Sequence, residues 1–149
     1  MQIYLAGPLF SDAERAFLDA LAARLRAEGF TCFVPHEAAA RLEAPTADAI
    51  FRLDYEGLSS SQAMLAWIDG PQVDDGTACE IGVFTQLLRE RPTGRKGIVA
   101  LATDLRLRRR RPALQDDAFN LFVSGAVRSV GHVVWSLDEA VGRLREWRQ

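Results

Sequence analysis

Residues 63 to 82 read Ala63-Met64-Leu65-Ala66-Trp67-Ile68-Asp69-Gly70-Pro71-Gln72-Val73-Asp74-Asp75-Gly76-Thr77-Ala78-Cys79-Glu80-Ile81-Gly82, and this stretch decides the fold. Ala63 to Ile68 is a continuous apolar run, as a central parallel strand buried on both faces requires. The following loop carries Asp69, Asp74 and Asp75 with Gly70 and Gly76, and a helical pattern runs from about Gly76 to Glu90. A strand-to-helix junction of this kind opens at the carboxyl edge of an α/β sheet, where ligands bind. A glutamate one turn into the helix points back into that crevice. Glu80 is therefore the leading catalytic candidate.

The same rhythm extends in both directions. Residues 2 to 6 (QIYLA) form a short apolar strand, which Gly7-Pro8-Leu9-Phe10 interrupts before Ser11-Asp12-Ala13-Glu14 supplies a capping box. Phe17, Leu18, Leu21 and Leu25 make a helical stripe, Gly29 stands where a C-terminal cap belongs, and Phe30 to Val34 is a second strand stopped by Pro35. Residues 36 to 45 hold only a short helix-prone run. Ala49, Ile50, Leu53 and Leu58 predict a helix from Thr46 to about Ser59, weakened near Gly57. Downstream, Pro92-Thr93-Gly94 turns the chain, Gly97 to Leu101 is a fourth strand, and residues 103 to 119 read as loop. Asn120-Leu121-Phe122-Val123 opens a short helix, and His132 to Trp135 is a fifth strand. Ser136-Leu137-Asp138-Glu139 is a second capping box before a terminal helix with Val141, Leu144 and Trp147. Five strands alternating with helices, without repeats or linkers, predict one α/β domain over residues 1–149. Its expected form is a doubly wound, flavodoxin-like, five-stranded parallel sheet in three α/β/α layers.

Composition narrows the classes of function. The chain has 149 residues, 48% of them hydrophobic and 26% charged, with a formal net charge of -2. That charge gives no pull toward nucleic acid or anionic membrane, so small molecules are the expected partners. Two cysteines, Cys32 and Cys79, lack the spacing of metal or redox motifs and read as small buried hydrophobes. His36 and His132 stand alone and read as structural, so no metal site is expected. The start shows no secretory pattern and no apolar run approaches the roughly 18 residues of a membrane span. A cytoplasmic protein is expected.

Three acids recur at the predicted strand and helix ends: Asp54, Asp74 and Glu80. A carboxylate in the first turn of a helix is stabilised by unpaired N–H groups and the positive dipole end, which suits it to attack as a nucleophile. A second carboxyl, from Asp54 across the crevice, suits a general acid for the leaving group. The first loop, around Gly7 and Phe10, sets small residues beside a helix N-terminus, as an anion site or a plain turn. It lacks the glycine patterns of dinucleotide and phosphate loops, so neither nicotinamide nor ATP is implied. Arg106 and the run Arg108 to Arg111 lack interleaved aromatics and read as a solvated loop rather than a nucleic-acid patch. No Ser-His-Asp or Cys-His pattern is evident.

Taken in order, Tyr4 to Phe10, Asp54-Tyr55-Glu56-Gly57-Leu58, Asp69 to Gly82, Thr103 to Arg106 and Asn120-Leu121-Phe122 resemble the nucleoside 2-deoxyribosyltransferase family, with D-G-x-x-x-D-x-G-T-x-x-E-I-G as the specific block. The resemblance implies the fold inferred above and the transfer of a 2-deoxyribosyl group between nucleobases, with no cofactor. It implies that Glu80 is the nucleophile and forms a covalent deoxyribosyl intermediate, through an oxocarbenium-like transition state with net retention. It implies that Asp54 protonates the departing base and deprotonates the arriving one. Tyr4 then positions Glu80, Asp74 holds the sugar hydroxyls and Phe10 lies near the base. Asn120 and Phe122 match residues contributed by a neighbouring subunit, which implies a homodimer or larger homo-oligomer in nucleotide salvage.

A sister branch, the 2'-deoxynucleoside 5'-phosphate N-hydrolases, hands the sugar to water. Asp74 near the 5' end would repel a phosphate dianion yet can accept a hydrogen bond from a free 5'-hydroxyl, which favours the transferase. The arginine segment leaves the hydrolase as the alternative and base preference open, whether purines alone or pyrimidines too. Asp75 departs from the serine often found there and suits a helix cap or a perturbing charge. A non-catalytic nucleoside sensor is the reading of another class, and the joint presence of Glu80, Asp54 and Asp74 argues against it. A flavodoxin-type electron carrier is disfavoured because Pro8 removes a donor N–H from the first loop.

Overall fold

A computed structural model describes residues 1–90, 94–107 and 119–149. The chain runs β1 (Gln2–Ala6), α1 (Asp12–Ala27), β2 (Thr31–Phe33), α2 (Pro35–Ala39), α3 (Ala47–Ser60), β3 (Ala63–Trp67), α4 (Asp75–Glu90), β4 (Gly97–Leu101), α5 (Leu121–Val130), β5 (Gly131–Val134) and α6 (Leu137–Arg148). The five strands form one parallel sheet in the order β2-β1-β3-β4-β5. This is the flavodoxin-like order, in which the direction of winding reverses beside β1 and β3.

Strand alternation sorts the core into two halves. Tyr4, Ala6, Met64, Ala66, Ile98 and Ala100 face α3, α4 and α5, where Leu58, Ile81, Phe84 and Val127 cover them. Ile3, Leu5, Ala63, Leu65, Val99 and Leu101 face α1 and α6, under Leu18, Leu21, Val141 and Leu144. Both faces are apolar because both are covered, which is why the central strands read as unbroken hydrophobic runs.

The predicted boundaries hold closely. Ser11 and Glu14 form the expected reciprocal box at α1, and Gly29 takes a positive φ of 81° just past its end. The second box is altered: Ser136 accepts from Glu139 N, but the Glu139 carboxylate accepts from Trp135 N rather than from the cap residue. The short run after Pro35 is the five-residue α2, tied to α1 by His36 against Asp19 at 2.7 Å and by Arg26 against Glu37. Those contacts support a structural His36. Cys79 is exposed, against the expectation of a buried hydrophobe, because it lies on the face of α4 turned away from the sheet side held by Ile81 and Phe84. Pro92, Thr93 and the arginines from 108 to 111 lie outside the described residues.

At one point the sheet closes with no room to spare. Gly131 pairs with Ile98, and a Cβ on it would stand 1.8 Å from the Ile98 carbonyl oxygen. Gly131→Ala must therefore part β4 from β5 or bend the chain, and a loss of about 3 kcal/mol is expected from such overpacking. Urea unfolding measures it, and an unchanged midpoint would show that the strands yield without cost.

Candidate active site

β1 and β3 end side by side at the carboxyl edge, and α4 starts from the loop between them and the helical layer. Tyr4 is fully buried, yet its hydroxyl donates to Glu80 Oε1 at 2.6 Å. Facing this pair across the crevice is Asp54, on α3. Asp54, Ile50, Phe51, Tyr55 and Leu58 of α3, with Gly76, Cys79, Glu80 and Val83 of α4, line a cavity of about 340 Å³. Its walls are apolar apart from the two carboxyls, the Tyr55 hydroxyl and the Cys79 thiol, the usual make-up of a small-molecule pocket.

Burial dominates the electrostatics. Desolvation pushes Glu80 up to about 8, opposed by the Tyr4 hydrogen bond and aided by the charges of Asp54 and Asp74. It pushes Asp54 up to about 6. Tyr4 is moved well above the ordinary phenol range, by burial first and then by Glu80, so it stays a proton donor. These shifts correct the expectation of a first-turn carboxylate kept ionised by the helix dipole. Glu80 is the sixth residue of α4, beyond the unpaired N–H groups, and the Tyr4 hydroxyl is what favours its charged form. Asp54 likewise lies in the middle of α3, not at an element end.

The other acids of the loop are engaged in local structure. Asp74 caps α4: its Oδ2 accepts from Thr77 N at 2.9 Å and Thr77 Oγ1 at 3.0 Å, so Oδ1 has no partner among the described residues. Asp75 accepts from Gly76 N. Asp69 accepts from the backbone and hydroxyl of Thr103, which straps the end of β3 to the end of β4. Asp104 takes three donors from Arg106 and is held down to about 2 by that guanidinium.

The fold thus brings together Tyr4, Asp54 and Glu80, with Asp74 close enough to raise Glu80 electrostatically. It does not bring Phe10, Asn120 or Phe122 to that cavity. Phe10 is exposed beyond the first loop. Asn120 caps α5 through Phe122 N and Val123 N, and Phe122, 87% exposed, borders a separate groove between α4 and α5. Gly7 is a packing position: a Cβ there would meet Leu18 Cδ2 at 3.0 Å and Trp67 Cβ at 3.3 Å. Sequence reading missed Phe51 and Tyr55, a stacked pair 5.9 Å apart on the cavity wall, although two aromatics four residues apart around Asp54 were the available signal. No group of three or more metal-ligating side chains occurs among the described residues, and no helix among them is long and apolar enough to cross a membrane.

A family model described as nucleoside 2-deoxyribosyltransferase matches residues 3–120. Among solved structures, the chain is similar to a conserved protein from Enterococcus faecalis, at 27% identity over 98% of each chain with a TM-score of 0.80. It is also similar to the 2-deoxyribosyltransferase of Bacillus psychrosaccharolyticus, at 20% identity over 94% of this chain and 90% of that one, TM-score 0.69. A third similar structure is the CMP N-glycosidase of Clostridium botulinum, at 17% identity over 99% and 100%, TM-score 0.61. The last two likenesses are of fold alone. No curated protein matches the sequence.

The raised carboxyls have a consequence for stability. The folded crevice holds protons that the unfolded chain has released, so stability is present below the ordinary carboxylate range and declines as pH rises toward the folded value of about 8 for Glu80. Glu80→Gln keeps an acceptor for Tyr4 and removes the charge. Its Tm should exceed that of the wild type by on the order of 5 °C at pH 8.5 and by little at pH 5. Thermal melts at the two pH values check it, and an equal shift at both would reject a buried titrating Glu80.

Proposed function

The chain belongs to the nucleoside 2-deoxyribosyltransferase family, and from that premise we propose that it exchanges the base of a 2'-deoxyribonucleoside for another free base through a deoxyribosyl-glutamate intermediate. The observation that carries this reading is the 2.6 Å bond from the Tyr4 hydroxyl to Glu80 Oε1, in a half-enclosed crevice shared with Asp54. One oxygen of Glu80 is oriented by that bond, and the other is free to attack.

In this reading the Glu80 carboxylate attacks the anomeric carbon on the face opposite the base. The C1'–N bond breaks, its electron pair leaves with the base, and Asp54 gives that base a proton. An arriving base loses its proton to Asp54, attacks the same carbon, and displaces the Glu80 carboxylate, so two inversions give retention. Reaction requires the proton on Asp54 and the charge on Glu80, the reverse of what burial favours, since it leaves Glu80 the higher proton affinity, about 8 against about 6 for Asp54. Tyr4, as a donor held against Glu80, favours the charged form of Glu80 and so narrows that difference. Oδ1 of Asp74 is left to accept from a sugar hydroxyl.

Transfer is favoured over hydrolysis of a 5'-phosphate because no cation lines the crevice among the described residues and Arg106 is paired with Asp104. A phosphate dianion there would meet Asp74 and Glu80 unscreened. The cavity is open on one side, and the exposed Phe122 with Asn120 suits a neighbouring subunit's contribution to the base pocket, with Phe10 on the other side of the base. The active unit in this reading is a homo-oligomer acting on deoxyribonucleosides and free bases in cytoplasmic salvage.

Chromatography of deoxyadenosine incubated with the protein, with and without free cytosine or hypoxanthine, tests the reading; deoxyadenosine 5'-monophosphate runs in parallel. New deoxynucleoside is expected only when an acceptor base is present. Free base with deoxyribose 5-phosphate, released from the monophosphate alone, would assign the hydrolase instead, and no reaction in any tube would favour the sensor. Glu80→Ala should abolish exchange, by about 10⁴-fold or more, with the fold retained. Asp54→Asn should slow departure of poor leaving bases by about 10²-fold or more. Normal exchange in the first variant, or an unchanged rate in the second, removes the assigned role.

A further inference from the structure

The Tyr4–Glu80 pair is held by a side chain outside the chemistry described so far. Phe33, the last residue of β2, pairs with Tyr4 across the two parallel strands, and their rings stack with centroids 5.2 Å apart and planes 12° from parallel. The Cδ1–Cε1–Cζ edge of the same ring lies against α3 at Gly57. A Cβ on that glycine would stand 2.5 Å from Cε1, 2.6 Å from Cζ and 2.7 Å from Cδ1. No side chain fits at such distances, so α3 comes this near to β2 only because residue 57 is glycine. Glycine inside a helix is unfavourable relative to alanine, and the close approach supplies a physical reason for it. Asp54 precedes Gly57 by three residues and so shares its face of the helix.

One ring thus touches both arms of the site. On one side it meets β1 and the tyrosine that holds Glu80; on the other it meets the helix that carries Asp54. The outer torsion of a tyrosine is broad, so rotamer preference alone does not hold a hydroxyl at 2.6 Å from its acceptor. Flat contact from a close-packed neighbour does. The groups facing Glu80 are Tyr4 from β1, Asp54 from α3 and Asp74 at the start of α4, and Phe33 bears on the first directly and on the second through Gly57.

We propose that Phe33 is a positioning residue for the reaction: wedged between Gly57 and Tyr4, its ring fixes the Tyr4 hydroxyl on Glu80 and sets the separation between Glu80 and Asp54. This rests on the reading of Glu80 and Asp54 as nucleophile and acid. Phe33→Leu keeps apolar volume and loses the flat face. It should lower kcat by up to about 100-fold with KM little changed, as expected when reacting groups are misplaced rather than binding lost. It should also move the alkaline limb of the kcat/KM profile to higher pH, since the higher of the two proton affinities in the crevice is that of Glu80. The Tyr4 bond lowers the proton affinity of Glu80, and loosening it lets that affinity rise. Tyr4→Phe should move the limb the same way, and the two changes together should move it no further. Gly57→Ala should also lose kcat, and adding Phe33→Leu to it should return part of the loss, since the ring then has room. A crystal structure of Phe33→Leu should show the Tyr4 hydroxyl beyond hydrogen-bond distance of Glu80.

An unchanged kcat and pH limb with the Tyr4–Glu80 bond retained would overturn the proposal, as would effects of Phe33→Leu and Tyr4→Phe that simply add. If the wild-type protein neither exchanges nor hydrolyses, the reading of function fails separately. The crystal structure then decides the wedge alone, upheld by a lost Tyr4–Glu80 bond and overturned by an intact one.

Discussion

A carboxyl group carried into an apolar layer must find a donor or take up a proton, and in this protein one buried hydroxyl meets that demand. The bond from Tyr4 to Glu80 joins the third residue of β1, the strand beside the central β3, to the second turn of α4. Around it the geometry of the crevice is ordered. Tyr4 cannot turn away without leaving Glu80 unpaired against Asp54 and Asp74, and its hydroxyl is what favours the charged form of Glu80 against burial. In the proposed reaction this same bond orients an oxygen of Glu80 for attack.

The costs of the arrangement are visible nearby. Two carboxyls with raised proton affinity face one cavity, which disfavours the folded state at alkaline pH. Gly57 weakens α3 in its interior so that Phe33 can reach it. Such departures from local preference cluster where a site is built. The remaining acids work as struts: Asp69 ties β3 to β4, Asp74 caps α4, and Asp104 holds Arg106. A loop rich in acids is therefore only in part a loop rich in chemistry.

Several of these features were legible before any fold. The apolar runs at 2 to 6, 63 to 68 and 97 to 101 are strands because a doubly covered parallel sheet admits nothing else. Ser11 and Ser136 cap the helices they precede, since side-chain oxygens satisfy the first free N–H groups wherever a helix begins. Other features were not. Cys79, two residues before Ile81, gives no sign of which face of α4 it occupies until the helix is docked, and it proves exposed. Phe33 and Gly57 are unremarkable in a linear reading, because what matters is a distance between a strand end and a helix interior 24 residues away.

The sequence by itself determined the elements, their order and the doubly wound sheet, because these follow from periodicity, caps and chain connectivity, all of which are local. It also marked Glu80, Asp54 and Asp74 as the acids to watch, through spacing and through the motif they share with one family. Only the tertiary structure decided what those acids touch. Whether a carboxyl is a strut, a cap or a reactive group depends on its burial and on the donor it meets, and both are set by residues distant in sequence. Tyr4 and Glu80 stand 76 positions apart in the chain, and the hydroxyl that favours the charged form of Glu80 reaches it only when the sheet brings them together.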